Sequence, residues 1–377
     1  MRGSLTSAAS RQTYPDSETA HRGHIPIAPT GPQPSDSVRR VFALRIGSIS
    51  VRIDRRSIVV GCLLLAVVIC LAVFGLYLGR PQEGLVGTVK AIWGVGSEQL
   101  VRSVQQRRLP RFLTACAVGG SLAAAGSLFQ SLTRNPLGSP DVIGFTAGAA
   151  AAAAIHIAFF TSTVWTTGLF AVLGGMAAAL GVYLLARRSS RTGGLRLVLM
   201  GIGTAALLTA ITDAVIVRAD FSDAQALQQW TAGSLTGRGW PHVVLTFGTA
   251  LALLPALIPL ARRLSVLELG EEAAASLGLR VERLRLTTLI VAVILVGTAV
   301  AAAGPIAFIA LAAPQIARGL ARSTQVGIFL PGLCGAFLLS GADLLSQELE
   351  IGLQTPVGLV TSVLGGLYLL WLLARRM

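Results

Sequence analysis

The feature that most limits this chain is its division into apolar stretches of bilayer length. Ten are drawn, at about 57–78, 112–132, 142–160, 164–186, 195–217, 240–261, 284–303, 304–320, 325–346 and 355–374. Roughly 20 apolar residues in a helix cross the hydrocarbon of a membrane. Inside that hydrocarbon the backbone finds no water to bond, so helices are the spanning form for stretches of this length. Gly304-Pro305 divides one overlong run into the seventh and eighth spans. Hydrophobic residues make up 53% of the chain and charged residues 13%, against about 25% charged in soluble domains. That balance excludes a soluble enzyme, a disordered chain and a disulfide-stapled secreted module. The expected fold class is all-α, a polytopic membrane protein with about ten transmembrane helices.

Residues 1–56 stand apart. Rich in Ser, Pro, Thr and Arg, they lack the apolar core of a signal peptide. They read as a disordered cytoplasmic tail ahead of a membrane domain at 57–377. The formal charge is +14, and every basic residue except Lys90 is arginine. On a soluble chain such a charge points to nucleic acid. Here the arginines flank the spans, so lipid headgroups take them and no nucleic-acid partner is expected. With the N-terminus in the cytoplasm, all but eight of the 31 basic residues fall on the cytoplasmic side, as the positive-inside rule requires. An even number of spans returns the C-terminus, with Arg375 and Arg376, to that side. Cys62, Cys70, Cys116 and Cys334 sit inside apolar runs with no metal-ligand spacing. The 42 glycines and runs such as Ala147 to Ala154 indicate tightly packed helices.

Chemistry-bearing residues are few. The phosphate-binding Gly-x-x-x-x-Gly-Lys-[Ser/Thr] pattern is impossible around Lys90, so ATP would have to be hydrolysed by another chain. The segment at about 265–280 carries Leu269, Gly270, Glu271, Glu272, Ala273, Ala274 and Gly278. An acidic start, helix formers and a glycine stop predict a short surface helix. It is either an interfacial connector or a knob for a cytoplasmic partner. Arg108 and Arg111 fall on the side disfavoured for arginine, next to Pro110, which is expected to start a helix. Asn135-Pro136 and Ser139-Pro140 punctuate a turn, and Asp141 is placed either to cap the helix that follows or to face its N-terminal dipole. Asp213, Asp343 and His156 are polar residues within spans and should face other helices. Packing and hydrogen bonding account for them better than a proton relay.

These residues together carry a resemblance over about 57–374. Arg108-Leu-Pro-Arg111, Gln130 to Pro140, Leu269-Gly-Glu271, Trp230-Thr-Ala-Gly-Ser-Leu235, Gly304-Pro-Ile-Ala-Phe-Ile309 and Pro356-Val-Gly358 resemble the FecCD-type permeases of ABC importers for ferric siderophores, cobalamin and haem. The stretches Asn135–Phe145 and Gly233–Trp240 look most like the ferric-enterobactin branch. The pattern departs at Gln315, where relatives carry histidine, and at Gln347, where relatives carry arginine.

The resemblance implies a large-permease (type II) ABC importer architecture, in which two permease subunits, identical or sister chains, enclose one path. This chain would be the non-enzymatic permease of the cytoplasmic membrane, binding no cofactor itself, with ATP on a partner subunit. The loop at 265–280 would dock that ATPase through Glu272-Ala-Ala274 and Gly278. Arg108 and Arg111 would dock an extracytoplasmic substrate-binding lipoprotein. The path for a ferric siderophore would run by Gln130 and Asn135, with an inner gate at Gly193, Gly194 and Leu195. A gradient-driven secondary transporter is the rival, and it would need essential carboxylates at membrane depth. A membrane-embedded enzyme would need clustered His, Glu or Ser-Lys, which the sequence lacks.

Overall fold

Apolar stretches without polar interruption form helices because only helical hydrogen bonding satisfies their backbone in lipid. The computed structural model describes residues 41–46, 49–78, 84–160, 163–186, 194–322, 327–348 and 355–376. It opens with an antiparallel hairpin, β1 (Val41–Ile46) and β2 (Ile49–Asp54), pairing Val41 with Asp54 and Ile46 with Ile49. The hairpin and the first residues of α1 fall within the stretch expected as a tail, and residues 1–40 lie outside the described ones. Fourteen α-helices follow: α1 (Arg55–Tyr77), α2 (Gly84–Ala91), α3 (Glu98–Ser103), α4 (Leu109–Thr133), α5 (Phe145–Phe159), α6 (Val164–Ala186), α7 (Gly194–Arg218), α8 (Phe221–Thr231), α9 (Trp240–Leu267), α10 (Glu271–Ser276), α11 (Val281–Ala303), α12 (Ile309–Ala321), α13 (Phe329–Glu348) and α14 (Val357–Arg376).

Each of the ten expected spans is a helix, but they are unequal. Seven helical stretches are long and apolar enough to cross a membrane, whereas α5, α12 and the apolar part of α14 are shorter. The reasons are local. Gly304–Phe308 is non-helical, which leaves α12 with 13 residues. Pro140–Ile143 makes a 3-10 turn ending at Gly144, which delays α5. Pro110 does not begin a helix: α3, a π-helical turn at Val104–Arg108 and α4 run on continuously from Glu98 to Thr133. The wider turn sits just before Pro110, where the missing N–H breaks the normal ladder.

α4 and α11 are buried along most of their length, while α1, α7 and α9 are mainly exposed. The buried pair is built from small residues. Gly119 of α4 faces Gly335 of α13, and a methyl at either would strike the other's carbonyl oxygen. Gly126 packs in the same way on the carbonyl of Ala310. Close backbone approach of this kind is how helices gain packing energy where lipid offers no hydrophobic drive.

Three interruptions in the helices meet at one place. The loop after α8, the break before α12 and the start of α14 bond backbone to backbone: Ser234 N–H to Ala303 O at 2.8 Å, and Gly358 N–H to Gly233 O at 3.0 Å. Gly304, at φ +74°, lies against the Trp230 carbonyl, and Gly358 lies against that of Ala232. Backbone that leaves its helix inside a membrane protein must be satisfied by other protein groups, and these three segments satisfy one another.

Candidate functional site: two charged ends of the bundle

At one end, α10 projects as a short knob. Its two glutamates, Glu271 and Glu272, stand in the first turn, where the helix dipole favours them. Ala274 is fully buried beneath it, while Leu269 and Leu277 stand exposed on either side. Gly278 closes the helix at φ +83°, as the sequence predicts, and a side chain there would meet nothing within 4 Å. The Glu271 Oε1 atom accepts hydrogen bonds from Arg134 Nη2 at 3.3 Å and from Arg285 Nη2. The knob is thereby tied to the end of α4 and to α11. Tyr183 of α6 donates its hydroxyl to Glu282 beside it.

The turn after α4 is built from its own polar groups. Arg134 adopts a left-handed conformation, and the Asn135 Oδ1 atom accepts the Leu137 N–H at 2.9 Å. Gln315 of α12 donates its amide to the Pro136 carbonyl at 2.8 Å. Thr146 donates its hydroxyl to Asp141, which thus reaches the first turn of α5 through a side chain rather than by capping the backbone. Burial pushes the Asp141 carboxyl above the usual carboxylate range.

One of the sequence's path residues, Gln130, is buried. Gln130 is 2% exposed, donating to Leu311 O at 3.0 Å and accepting from Arg318. Both ends of its amide clamp α4 to α12, so in this arrangement it faces no open path. Gly193 lies outside the described residues, whereas Gly194 and Leu195 begin α7. His156 is a packing residue: its Nε2 atom meets Thr166 Oγ1 at 2.9 Å and its ring stacks on Phe170. Among the described residues no group of His, Cys, Asp or Glu has the geometry to hold a metal ion.

At the other end, Arg111 does not stand free as a docking arginine would. Its Nε and Nη2 atoms grip the Asp343 carboxylate at 2.8–3.2 Å, and Asp343 is 2% exposed. Gln347 adds a third donor to the same carboxylate at 2.9 Å. Gln347 is a neutral donor, so Arg111 is the cation that Asp343 pairs with. Arg108 donates from Nη1 to the Leu76 carbonyl at 2.6 Å. Beside them lies a cavity of about 490 Å³ that Arg107 and Arg238 also line. Sequence reasoning passed over both, although Arg238 stands inside the Gly233–Trp240 motif.

The FecCD transport family model matches residues 63–375, which is most of the chain and nearly all of its helix bundle. The chain belongs to the FecCD transport family. Its relatives include the ferric enterobactin transport system permease protein FepG of Escherichia coli, 38% identical over 86% of this chain and 98% of that one. The achromobactin permease CbrC of Dickeya dadantii is 35% identical over 89% and 97%. Among solved structures, a metal-chelate type ABC transporter in an inward-facing conformation superposes at a TM-score of 0.72, with 26% identity, covering 85% of this chain and all of that one.

As a FecCD protein the chain is a transport permease of an ABC importer, multi-pass in the membrane. The motifs that carry the family pattern are those that meet in three dimensions. Trp230–Leu235, Gly304–Ile309 and Pro356–Gly358 form the backbone junction of this FecCD permease, and Gln130 to Pro140 with Leu269–Gly278 build the end that holds α10.

Proposed function

We propose that the chain is the permease subunit of an ATP-driven importer of ferric siderophore, enterobactin-like in class, across the cytoplasmic membrane. The observation that carries this reading is the family match over nearly all of the bundle together with the exposed α10 knob on a chain without the Gly-x-x-x-x-Gly-Lys-[Ser/Thr] pattern. The relatives named for ferric enterobactin and achromobactin support a siderophore cargo.

Both termini lie in the cytoplasm in this reading, on the α10 side, where the arginines concentrate. An ATPase subunit receives α10, with Leu269, Gly270, Glu272, Ala273 and Gly278 as its contact and Glu271 passing movement on to Arg134 and Arg285. ATP binding in the partner then favours one packing of the bundle over the other, because this chain has no energy source of its own. A second permease subunit, identical or a sister chain, completes the path along the largely exposed α7, with Gly194, Leu195 and Asn135 near its inner mouth. A substrate-binding lipoprotein delivers cargo at the Arg111 end, touching Arg108 and the Arg111–Asp343 pair.

Proteoliposomes carrying the chain, its ATPase and its binding protein test the proposal. ATP-dependent uptake of radiolabelled ferric enterobactin is expected. Uptake of cobalamin or haem instead keeps the importer and changes the cargo. Uptake without ATPase, abolished by an uncoupler, would replace the importer with a gradient-driven carrier.

A further inference from the structure

The cavity at the Arg111 end is more basic than docking by Arg108 and Arg111 requires. Four guanidiniums line it, those of Arg107, Arg108, Arg111 and Arg238, and the one carboxylate among its lining residues is Asp343. Asp343 is spent on Arg111. Arg238 comes from the loop between α8 and α9. Its Nε atom donates to Ser234 O at 3.2 Å, and its Nη1 atom lies 3.5 Å from His242 Nε2. Among the described residues it has no carboxylate partner. A half-buried guanidinium that shares a cavity with three others and has no carboxylate partner is held against desolvation. Such an arrangement fits an anion supplied from outside, and a fork of N–H donors fits a carboxylate.

We propose that Arg238 is a docking residue, receiving a carboxylate side chain of the extracytoplasmic binding protein in the cavity it shares with Arg107 and Arg108. The inference rests on the reading above, that such a protein delivers cargo to this end. It adds a guanidinium from the α8–α9 loop to a cavity whose wall is neutral at Gln347. A protein carboxylate fits better than the cargo anion, because no residue of α7, along which the proposed path runs, lines the cavity.

The test measures binding of the cognate binding protein, loaded with ferric enterobactin, to the complete transporter in nanodiscs at several salt concentrations. Arg238→Gln is expected to weaken binding about tenfold or more and to flatten its salt dependence. Arg102→Gln serves as control, since Arg102 pairs with Glu98 outside the cavity and should change neither. Thr236→Glu puts a negative charge at an exposed cavity position without touching the bonds of Arg238, and should weaken binding even if Arg238→Gln fails to fold. Unchanged affinity and salt slope in folded Arg238→Gln, or in Thr236→Glu, would overturn the assignment and leave the importer reading standing. Direct binding of the siderophore anion to transporter alone, lost in Arg238→Gln, would give the cavity to cargo and overturn docking. A wild-type transporter that binds no such protein would overturn the delivery reading and the docking site with it.

Discussion

At the residue scale the Arg111–Asp343 pair decides most. Removing one partner of a buried ion pair strands the other, at a cost of about 3–5 kcal/mol. Arg111→Ala should therefore lower the thermal unfolding midpoint of the purified permease sharply, with Arg111→Lys recovering part of it, in a melting assay in detergent. A docking arginine with no structural role would leave the midpoint unmoved. Gln315→Ala should cost less, about 0.5–1.5 kcal/mol, because it releases one amide bond to an exposed carbonyl and one long bond from the Tyr368 hydroxyl. Its effect is expected in transport rate rather than in yield. The sequence marked Arg111 and Asp343 separately, the first for its side of the membrane and the second for its cost in lipid. Their pairing was not legible, because 232 positions separate them and nothing local to either names the other. Gln130 was legible as important but not as a clamp, since its partners on α12 come from the far end of the chain.

At the element scale two glycines separate shape from contact. Gly278 has a positive φ and empty space around it, so Gly278→Ala should cost about 1–2 kcal/mol of local strain and leave the permease folded. Lost copurification of the ATPase, with normal membrane insertion, is the expected result. Gly304 is different. Its methyl would collide with the Trp230 carbonyl, so Gly304→Ala should abolish accumulation of folded protein, read as loss of a monodisperse peak in size-exclusion chromatography. The long helices were readable from hydropathy alone, because length and composition are what lipid selects. The short ones at Gly84–Ala91 and Glu98–Ser103 were not, since their sequences are too short and too mixed to carry a period. The π turn was hidden for another reason. It is the response of an unbroken helix to Pro110, and the same proline would equally well begin a helix.

At the scale of the whole molecule, exposure is concentrated on α1, α7 and α9, and the small-residue faces are spent inside on α4, α11 and α13. Transport should thus fail entirely in vesicles that lack the ATPase, and uncouplers should not affect it when the ATPase and ATP are present. The meeting of the segments around Gly233, Gly304 and Gly358 has a consequence for building hybrids. Its hydrogen bonds run from main chain to main chain, and its close approaches put glycine against main-chain carbonyls. Such an interlock reads no side-chain identity beyond the absence of one. Exchanging the segment after Glu348 for that of another FecCD permease keeps α13 with its Asp343 and Gly335 and still divides the three participants between two parents. The hybrid should still assemble wherever the donor keeps glycine at the position of Gly358, so recombination between relatives would be tolerated at this depth even where their lipid-facing residues have diverged.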